Sequence, residues 1–307
     1  LALGGVAALR RQLYRLRVLP SEAVPVPVIV VGNITVGGSG KTPLVLWIAE
    51  LLRSRGYSPA IISRGYGGRV EAPQEVSIAS DPRDVGDEPV LLARHSGCPV
   101  WVSPDRVAAA QAACTQHPDC DVLVLDDGLQ HYRLRRDIEL AIVDSRGFGN
   151  GWLLPAGPLR EPPRRLKRVD AVISHAASVP GYAMRLRGET VIQLLDARMQ
   201  KALASFSGQG VHAVAGIGDP SRFFASLERH GLRVTAHPFP DHHPFTALDL
   251  EFGDELPVLM TEKDAVKLRG VARSNWWVLP VHAELDPAFG DWLLGKLAAV
   301  QTRRSKQ

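Results

Sequence analysis

Cysteine is scarce in this chain: Cys98, Cys114 and Cys120 are the only three in 307 residues. An odd count without metal-pair spacing excludes a disulfide framework and suits a reducing compartment, with structural thiols. No apolar run approaches the roughly 18–20 residues of a membrane span, so a spanning helix is not expected. Acidic residues are missing from residues 1–20, which carry Arg10, Arg11, Arg15 and Arg17. Those arginines account for the whole formal net charge of +4, leaving residues 21–307 formally neutral. The basic character is therefore local, which argues against a polycationic nucleic-acid binder. Internal repeats are absent too, and only residues 301–307 read as a disordered tail.

What is present is a packed-domain composition, 45% hydrophobic and 22% charged, long enough for one large or two ordinary domains. In residues 2–19, Val6, Leu9, Leu13 and Leu16 recur at helical steps with arginines between them, and Pro20 and Pro25 close the segment. Such a helix either packs on its own domain or lies in a head-group layer. From Val28 onward, short β-branched runs alternate with amphipathic stretches. Strands are expected in "VPVIVVGN" at 26–33, at the start of "PAIISRGYGG" from 59, in "PVWVS" at 99–103, "CDVLVLDDG" at 120–128, "DIELAIVD" at 137–144 and "DAVISH" at 170–175, with helices between several of them. This alternation predicts an α/β fold, a P-loop NTPase-type parallel sheet with helices on both faces. A proline-rich, then basic, segment at 151–168 interrupts it, and the alternation resumes at residue 211. The expected division is a basic amphipathic helix at 1–20, a P-loop domain at 21–185, a linker at 186–210, a smaller α/β domain at 211–300 and the tail.

The chemistry concentrates in a few segments. Thr35, Val36, Gly37, Gly38, Ser39, Gly40, Lys41 and Thr42 follow a strand and open a helix, the context a phosphate-binding loop needs. Glycines let backbone N–H groups converge on phosphate oxygens, and the helix N-terminus favours the anion. Lys41 is placed to reach the β- and γ-phosphates and the Thr42 hydroxyl to sit on Mg²⁺. Thr35 stands where the general pattern asks for glycine. Asp126 and Asp127 end a buried apolar run, as in a strand that sets a carboxylate beside the nucleotide metal. Gln130 and His131 follow closely, and with Tyr66 of the "SRGYGG" loop they are candidates for contact with substrate. Asp87 and Glu88 precede Pro89 at a helix start, where Asp87 reads first as an N-cap. Glu88 is a further candidate Mg²⁺ ligand. Arg160 lies on a loop stiffened by prolines and could stabilise a transferring phosphoryl group, or simply belong to a basic surface. Adjacent Asp241, His242 and His243 suit one catalytic or hydrogen-bonding histidine better than a zinc site. "TEKD" at 261–264 lacks the spacing of a guanine reader.

In this order, "VPVPVIVVGNITVGGSGKTP", "ISRGYGG", "GDEP", "VLDDGLQH", "LLPAGPLREP", "FPDHH" and "TEKDAVK" resemble the tetraacyldisaccharide 4'-kinase family, over about residues 24–270. The resemblance implies transfer of the γ-phosphate of ATP, with Mg²⁺, to the 4'-hydroxyl of an acylated glucosamine disaccharide 1-phosphate, giving lipid IVA. It implies that Asp87 is the base acting on the sugar hydroxyl and that His242 pairs with it from the second domain, alongside Lys41 and Arg160. It also implies a peripheral enzyme at the cytoplasmic face of the bacterial inner membrane, which favours the membrane reading of the basic N-terminal helix. The chain begins at Leu1, and residues upstream are expected to extend that anchor. Nothing indicates an obligate protein partner. The rival readings are a soluble P-loop GTPase or metallochaperone, an ATP-dependent ligase, and a non-enzymatic ATP switch. The guanine reader and the Cys/His cluster that the first would need are not found.

Overall fold

The structure is a computed structural model that describes residues 12–14, 16, 18–175, 179–268 and 270–306. Most of the expected basic helix, including Arg10, Arg11, Arg15 and Arg17, lies outside the described residues; residues 12–14 are helical, and the Tyr14 ring lies 6.1 Å from that of Tyr132.

The first sheet is built on β1 (Val28–Gly32), β2 (Pro59–Ser63), β3 (Gln74–Val76), β4 (Val100–Val102), β5 (Val122–Leu125), β6 (Ile138–Val143), β7 (Ala171–Ser174) and β8 (Tyr182–Arg187). A second sheet contains β9 (Thr190–Gln193), β10 (Gln200–Ala202), β11 (Gly210–Ala215), β12 (Arg233–Pro238), β13 (Val258–Thr261) and β14 (Trp276–Leu279). The chain then returns to the first sheet through β15 (His282–Leu285). Strand order is β15-β8-β7-β6-β1-β5-β2-β4-β3 in the first and β10-β9-β14-β13-β11-β12 in the second. The strands from β8 to β4 run parallel, and antiparallel β15 and β3 close the edges.

Alternation along β1 explains the layering. Ile29 and Val31 face one hydrophobic core with Leu44, Val45, Ile48 and Leu52 of α1 (Lys41–Ser54). Val28 and Val30 face the other. Both faces are covered, so every residue of β1 is buried. A short α2 (Pro82–Val85) leads into α3 (Asp87–His95), which joins the first face, while α4 (Arg106–Gln116) packs its alanines on the second. In the second sheet, α5 (Pro220–Arg229) covers one face through Phe223, Phe224 and Leu227, and α6 (Glu262–Ala265) follows β13. Among the described residues no helix is long and apolar enough to cross a membrane.

The topology departs from the expected division at residues 186–210 and 211–300. β8 stays in the first sheet, whereas β9 and β10 already belong to the second, so little linker remains. β15 and α7 (Pro287–Arg304) also return to the first sheet, where Phe289, Leu293, Leu297 and Val300 fill its core. Aliphatic residues at helical spacing reveal that α7 packs, but not on which sheet. The expected tail from residue 301 is helical through Arg304, whose guanidinium donates to Asp137 at 2.8 Å.

Candidate active site

The glycine loop leaves the carboxyl end of β1, which lies between β5 and β6 at the sheet centre. Gly40 caps α1 at φ 85° and Gly37 sits at φ 86°, a left-handed conformation that costs glycine little. Arg146, gripped by Asp144 at the end of β6, donates to the Gly38 carbonyl at 3.1 Å and holds the loop from that side. The preceding segment is pinned by the proline-rich loop: Val36 N–H donates to Pro158 O at 2.9 Å, Arg160 N–H to Ile34 O at 2.7 Å, and Thr35 bridges Leu159. Thr35 is buried and its hydroxyl accepts from Asn33.

Lys41 is buried, 3.5 Å from Asn33 Oδ1 and 3.7 Å from Asp127 Oδ1. Arg160 reaches the same carboxylate with contacts of 3.0 and 3.1 Å. Burial alone would raise the Asp127 pKa; Lys41 and Arg160 outweigh it and hold this carboxyl below the usual range. Asp127 has φ 49°, so the turn after β5 is itself bent to present this group. Asp126 is buried and its carboxylate lies 3.4 Å from Ser63 Oγ, leaving Oδ1 without a hydrogen-bond partner among the described residues. Burial, reinforced by Glu88, pushes the Asp126 carboxyl up. Gln130 is spent within the fold, donating to Asn33 O at 3.0 Å and Glu161 Oε1 at 2.9 Å. The His131 carbonyl accepts from Arg136. Neither residue lines the cavity between the sheets.

Asp87 is not the N-cap that its position suggests. Gly86, at φ 93°, occupies the cap and Asp87 is the first helical residue. Its Oδ1 accepts from the Glu88 N–H at 2.9 Å, and its Oδ2 lies 3.1 Å from His242 Nδ1 and 3.5 Å from Lys267 Nζ. Burial would raise the Asp87 pKa, but the His242 hydrogen bond, Lys263 and Lys267 hold it down to about 2. Reciprocally, the hydrogen bond to Asp87 raises the His242 pKa against burial and the Lys263 charge. His242 takes φ 62° to make this contact, and the exposed Tyr66 ring lies 5.0 Å from its own. His243 turns away to Asp249, 3.4 Å distant.

The "TEKD" segment, which had no assigned role, ties the two sheets together. Lys263 Nζ lies 3.1 Å from Glu88 Oε1, 3.1 Å from Asp241 Oδ1 and 3.4 Å from His242 Nε2. Buried Asp264 accepts from the Gly216 N–H at 3.0 Å and from Thr261 Oγ1 at 2.6 Å, fixing the turn after β11. That turn touches the glycine loop, since a Cβ on Gly218 would lie 2.3 Å from the Gly38 nitrogen. Between the sheets lies a cavity of about 830 Å³, bounded by Gly38, Lys41, Thr42 and Glu88 on one side and Gly218 and Lys263 on the other. Lys263 connects the Asp87–His242 pair to this wall. Sequence reasoning missed Asn33, Gly218, Lys263 and Lys267. The one usable signal was "GIGDP", a second glycine turn after an apolar strand.

Comparison with known proteins gives a consistent result. The model of the LpxK family, described as tetraacyldisaccharide-1-P 4'-kinase, matches residues 1–298. A tetraacyldisaccharide 4'-kinase of Alkalilimnicola ehrlichii is 54% identical over 304 residues, covering 97% of this chain and 91% of that protein. One of Aromatoleum aromaticum is 52% identical over 302 residues, covering 95% and 90%. The fold is similar to the crystal structure of the "apo" form of LpxK from Aquifex aeolicus in complex with ATP, with a TM-score of 0.80, 29% identity and 96% of each chain covered.

Proposed function

The chain belongs to the tetraacyldisaccharide-1-P 4'-kinase family, and from that premise we propose that it transfers the γ-phosphoryl group of ATP to the 4'-hydroxyl of a tetraacylated glucosamine disaccharide 1-phosphate, forming lipid IVA in lipid A biosynthesis. The observation that carries the residue-level reading is the Asp87–His242 pair at 3.1 Å. A carboxylate from the first sheet's helix meets an imidazole from the second sheet's loop, linked through Lys263 and Glu88 to the cavity of the glycine loop. GTPase, metallochaperone and ligase readings leave this cross-sheet pair without a task.

The backbone N–H groups of Gly38–Thr42 and Lys41 hold the triphosphate, while Lys41 and Arg160 place positive charge at the end nearest Asp127. Asp87, held down to about 2, is ionised at neutral pH. Its task is to orient the sugar hydroxyl and take the proton late, after most of the bond to phosphorus has formed, as a loose transition state requires. His242 steadies the carboxylate through its Nδ1 contact. Approach of the two sheets excludes water, which suppresses hydrolysis of ATP in place of transfer.

The residues present fit Mg²⁺. The unpartnered Asp126 Oδ1 is a buried oxygen that a cation would satisfy, and Thr42, Asp127 and Glu88 supply further hard oxygen donors. Among the described residues no three or more His, Cys, Asp and Glu are grouped so as to hold a metal ion; Mg²⁺ takes one or two carboxylates and completes its shell with phosphate and water. When bound, the ion would neutralise charge on the transferring phosphoryl group.

The acceptor carries acyl chains, so the enzyme is proposed to work as a peripheral protein at the cytoplasmic face of the inner membrane, with the basic segment before Pro20 meeting the lipid surface. Removal of residues 1–19 is expected to weaken co-sedimentation with anionic vesicles; unchanged binding would remove that segment from the membrane contact. The decisive test of the function is transfer of label from γ-labelled ATP to the disaccharide 1-phosphate lipid. Multiple turnover is expected, and hydrolysis that proceeds equally without lipid would sink the reading.

A further inference from the structure

The Asp87–His242 pair depends on how the turn from β13 into α6 sits on α3. α3 itself is fixed to the first sheet, because Val90 and Leu92 are buried in its core. Glu88, Leu91 and His95 stand at i, i+3 and i+7, which aligns them along about 10 Å of helix, and all three line the cavity between the sheets. The turn meets that line with two consecutive residues of opposite charge, Glu262 and Lys263. Lys263 Nζ donates to Glu88 Oε1 at 3.1 Å, and His95 Nε2 donates to Glu262 Oε1 at 2.9 Å. Acid and imidazole on the helix thus face base and acid on the turn. Two such contacts fix both the position of the turn along α3 and its orientation, which one contact cannot do. Lys263 Nζ also lies 3.4 Å from His242 Nε2, so the seating of the turn is passed on to the partner of Asp87.

The two contacts respond differently to pH. Burial would lower the Lys263 pKa, but Glu88, Asp87 and Asp241 push it up, so this cation persists. His95 is the titrating member, its side chain 39% exposed. The hydrogen bond to Glu262 raises its pKa against burial. A neutral ring can still donate one N–H to the carboxylate, but without the charge that strengthens the bond. Other charges on the elements around α3 are engaged elsewhere. Arg53 of α1 donates to the Ser96 carbonyl at 3.1 Å, Glu75 of β3 pairs with His117, Arg83 of α2 with Asp81, and Lys267 with Asp264 and Asp87. Glu50 of α1 and Asp84 of α2 are exposed. Arg185, Arg187, Glu189, Arg222 and Arg229 also line the cavity, and among the described residues none is within ion-pair distance of His95; His230 is turned to the Ser226 carbonyl. We propose that His95 and Glu262 are positioning residues, the second anchor of a two-point clamp that seats the Lys263 turn on α3, keeps His242 on Asp87, and loosens as the medium becomes alkaline. The contribution of charged His95 is complete below 6.5 and is lost as pH rises through its raised value.

This deepens the proposed kinase reading and rests on it for its catalytic readout, and the test keeps the two apart. Transfer kinetics and backbone amide exchange across residues 258–268 are measured at pH 6 and pH 9 on the full chain and on His95→Gln, Glu262→Gln, the double variant and His95→Arg. At pH 6 each single Gln variant is expected to lower kcat about 3- to 5-fold, the scale of a half-exposed ion pair, with KM for ATP and for lipid little changed. The double variant should lose no more than either single one. At pH 9 the gap to the unaltered protein should shrink, because that protein has lost the charge as well. His95→Arg, a cation at both pH values, should keep most of the rate at pH 6 and exceed the unaltered protein at pH 9. Amides in 258–268 should exchange faster than in the unaltered protein in both Gln variants at pH 6, and nearly alike at pH 9. A loss of thermal stability with kcat unchanged would reduce the pair to a structural contact and overturn the inference. His95→Arg failing as fully as His95→Gln would overturn it too, since the shape of the ring and not its charge would then matter. Should the unaltered protein transfer no phosphate to lipid, the kinase reading falls and amide exchange decides the clamp by itself, with equal exchange in all variants at pH 6 ruling it out.

Discussion

The two sheets reach the same cavity by the same rule and contribute opposite kinds of chemistry. In each, the working turns leave the carboxyl ends of parallel strands: β1 and β5 in the first sheet, β11 and β13 in the second. The first sheet offers a backbone grip with acids set at fixed depth, Asp126 wholly buried and Asp127 between two cations. The second offers side chains that cross the gap, His242 to Asp87 and Lys263 to Glu88. On the proposed function, a site divided this way would hold its nucleotide on one body and complete its chemistry with the other, and so would be whole only when the bodies meet.

Perturbing each side in turn tests that division. The largest effect is expected for Lys41→Ala on the gripping side, a loss of about 10³–10⁵ in kcat, the scale of a cation that stabilises a transferring phosphoryl group. Circular dichroism should show the fold retained; turnover near that of the unaltered enzyme would remove Lys41 from the grip. Asp87→Asn is expected to lower kcat by about 10²–10⁴ with little change in ATP affinity. If stability fell and turnover did not, Asp87 would be a structural element of α3 only. Gly218→Ala probes the meeting itself. With its Cβ 2.3 Å from the Gly38 nitrogen, the two loops must separate, and a displacement of about 1 Å costs on the order of 10²-fold in rate. An unaffected kcat would show that the turn after β11 need not touch the glycine loop during catalysis.

The smallest expected effect is thermodynamic. The His242 pKa is raised above 6.5 by Asp87, so the stabilisation from its charged form is complete below 6.5 and is lost as pH rises through the raised value. The Asp87 pKa is depressed from 3.8 to about 2, so its contribution is present above 3.8 and fails only as pH falls through about 2. A double-mutant cycle of Asp87→Asn and His242→Gln, read from denaturant unfolding, should give a coupling of about 1 kcal/mol near pH 6 that shrinks toward pH 9. A coupling that stayed constant from pH 6 to pH 9 would mean that the imidazole is neutral throughout.

The same contrast governs what could be read before the fold was seen. A backbone grip demands glycines at fixed spacing between a strand and a helix, and a buried carboxylate demands an apolar run before it, so Gly37–Thr42 and Asp126–Asp127 stand out in the linear chain. Contacts between side chains far apart in sequence leave no such trace. Lys263 and Glu88 are separated by 175 positions, and "TEKD", part of the family resemblance but without an assigned role, gained one when Lys263 Nζ stood 3.1 Å from Glu88. Gln130 carried a polar signal and proved to be spent on Asn33 and Glu161. The division at 211–300 failed similarly, because β15 and α7 join the first sheet by packing that periodicity cannot address to a particular surface.

Sequence by itself determined the parallel α/β class, the glycine loop opening α1 and the acids that end β5, because local periodicity and backbone conformation are written in consecutive residues. Only the tertiary structure decided that Lys263 bridges to Glu88 and that Gly218 rests on Gly38, and only it set the 3.1 Å geometry of the Asp87–His242 pair that the family resemblance implies. Those are distances between separate strand ends, set by how two sheets close on one another, and no local pattern encodes them.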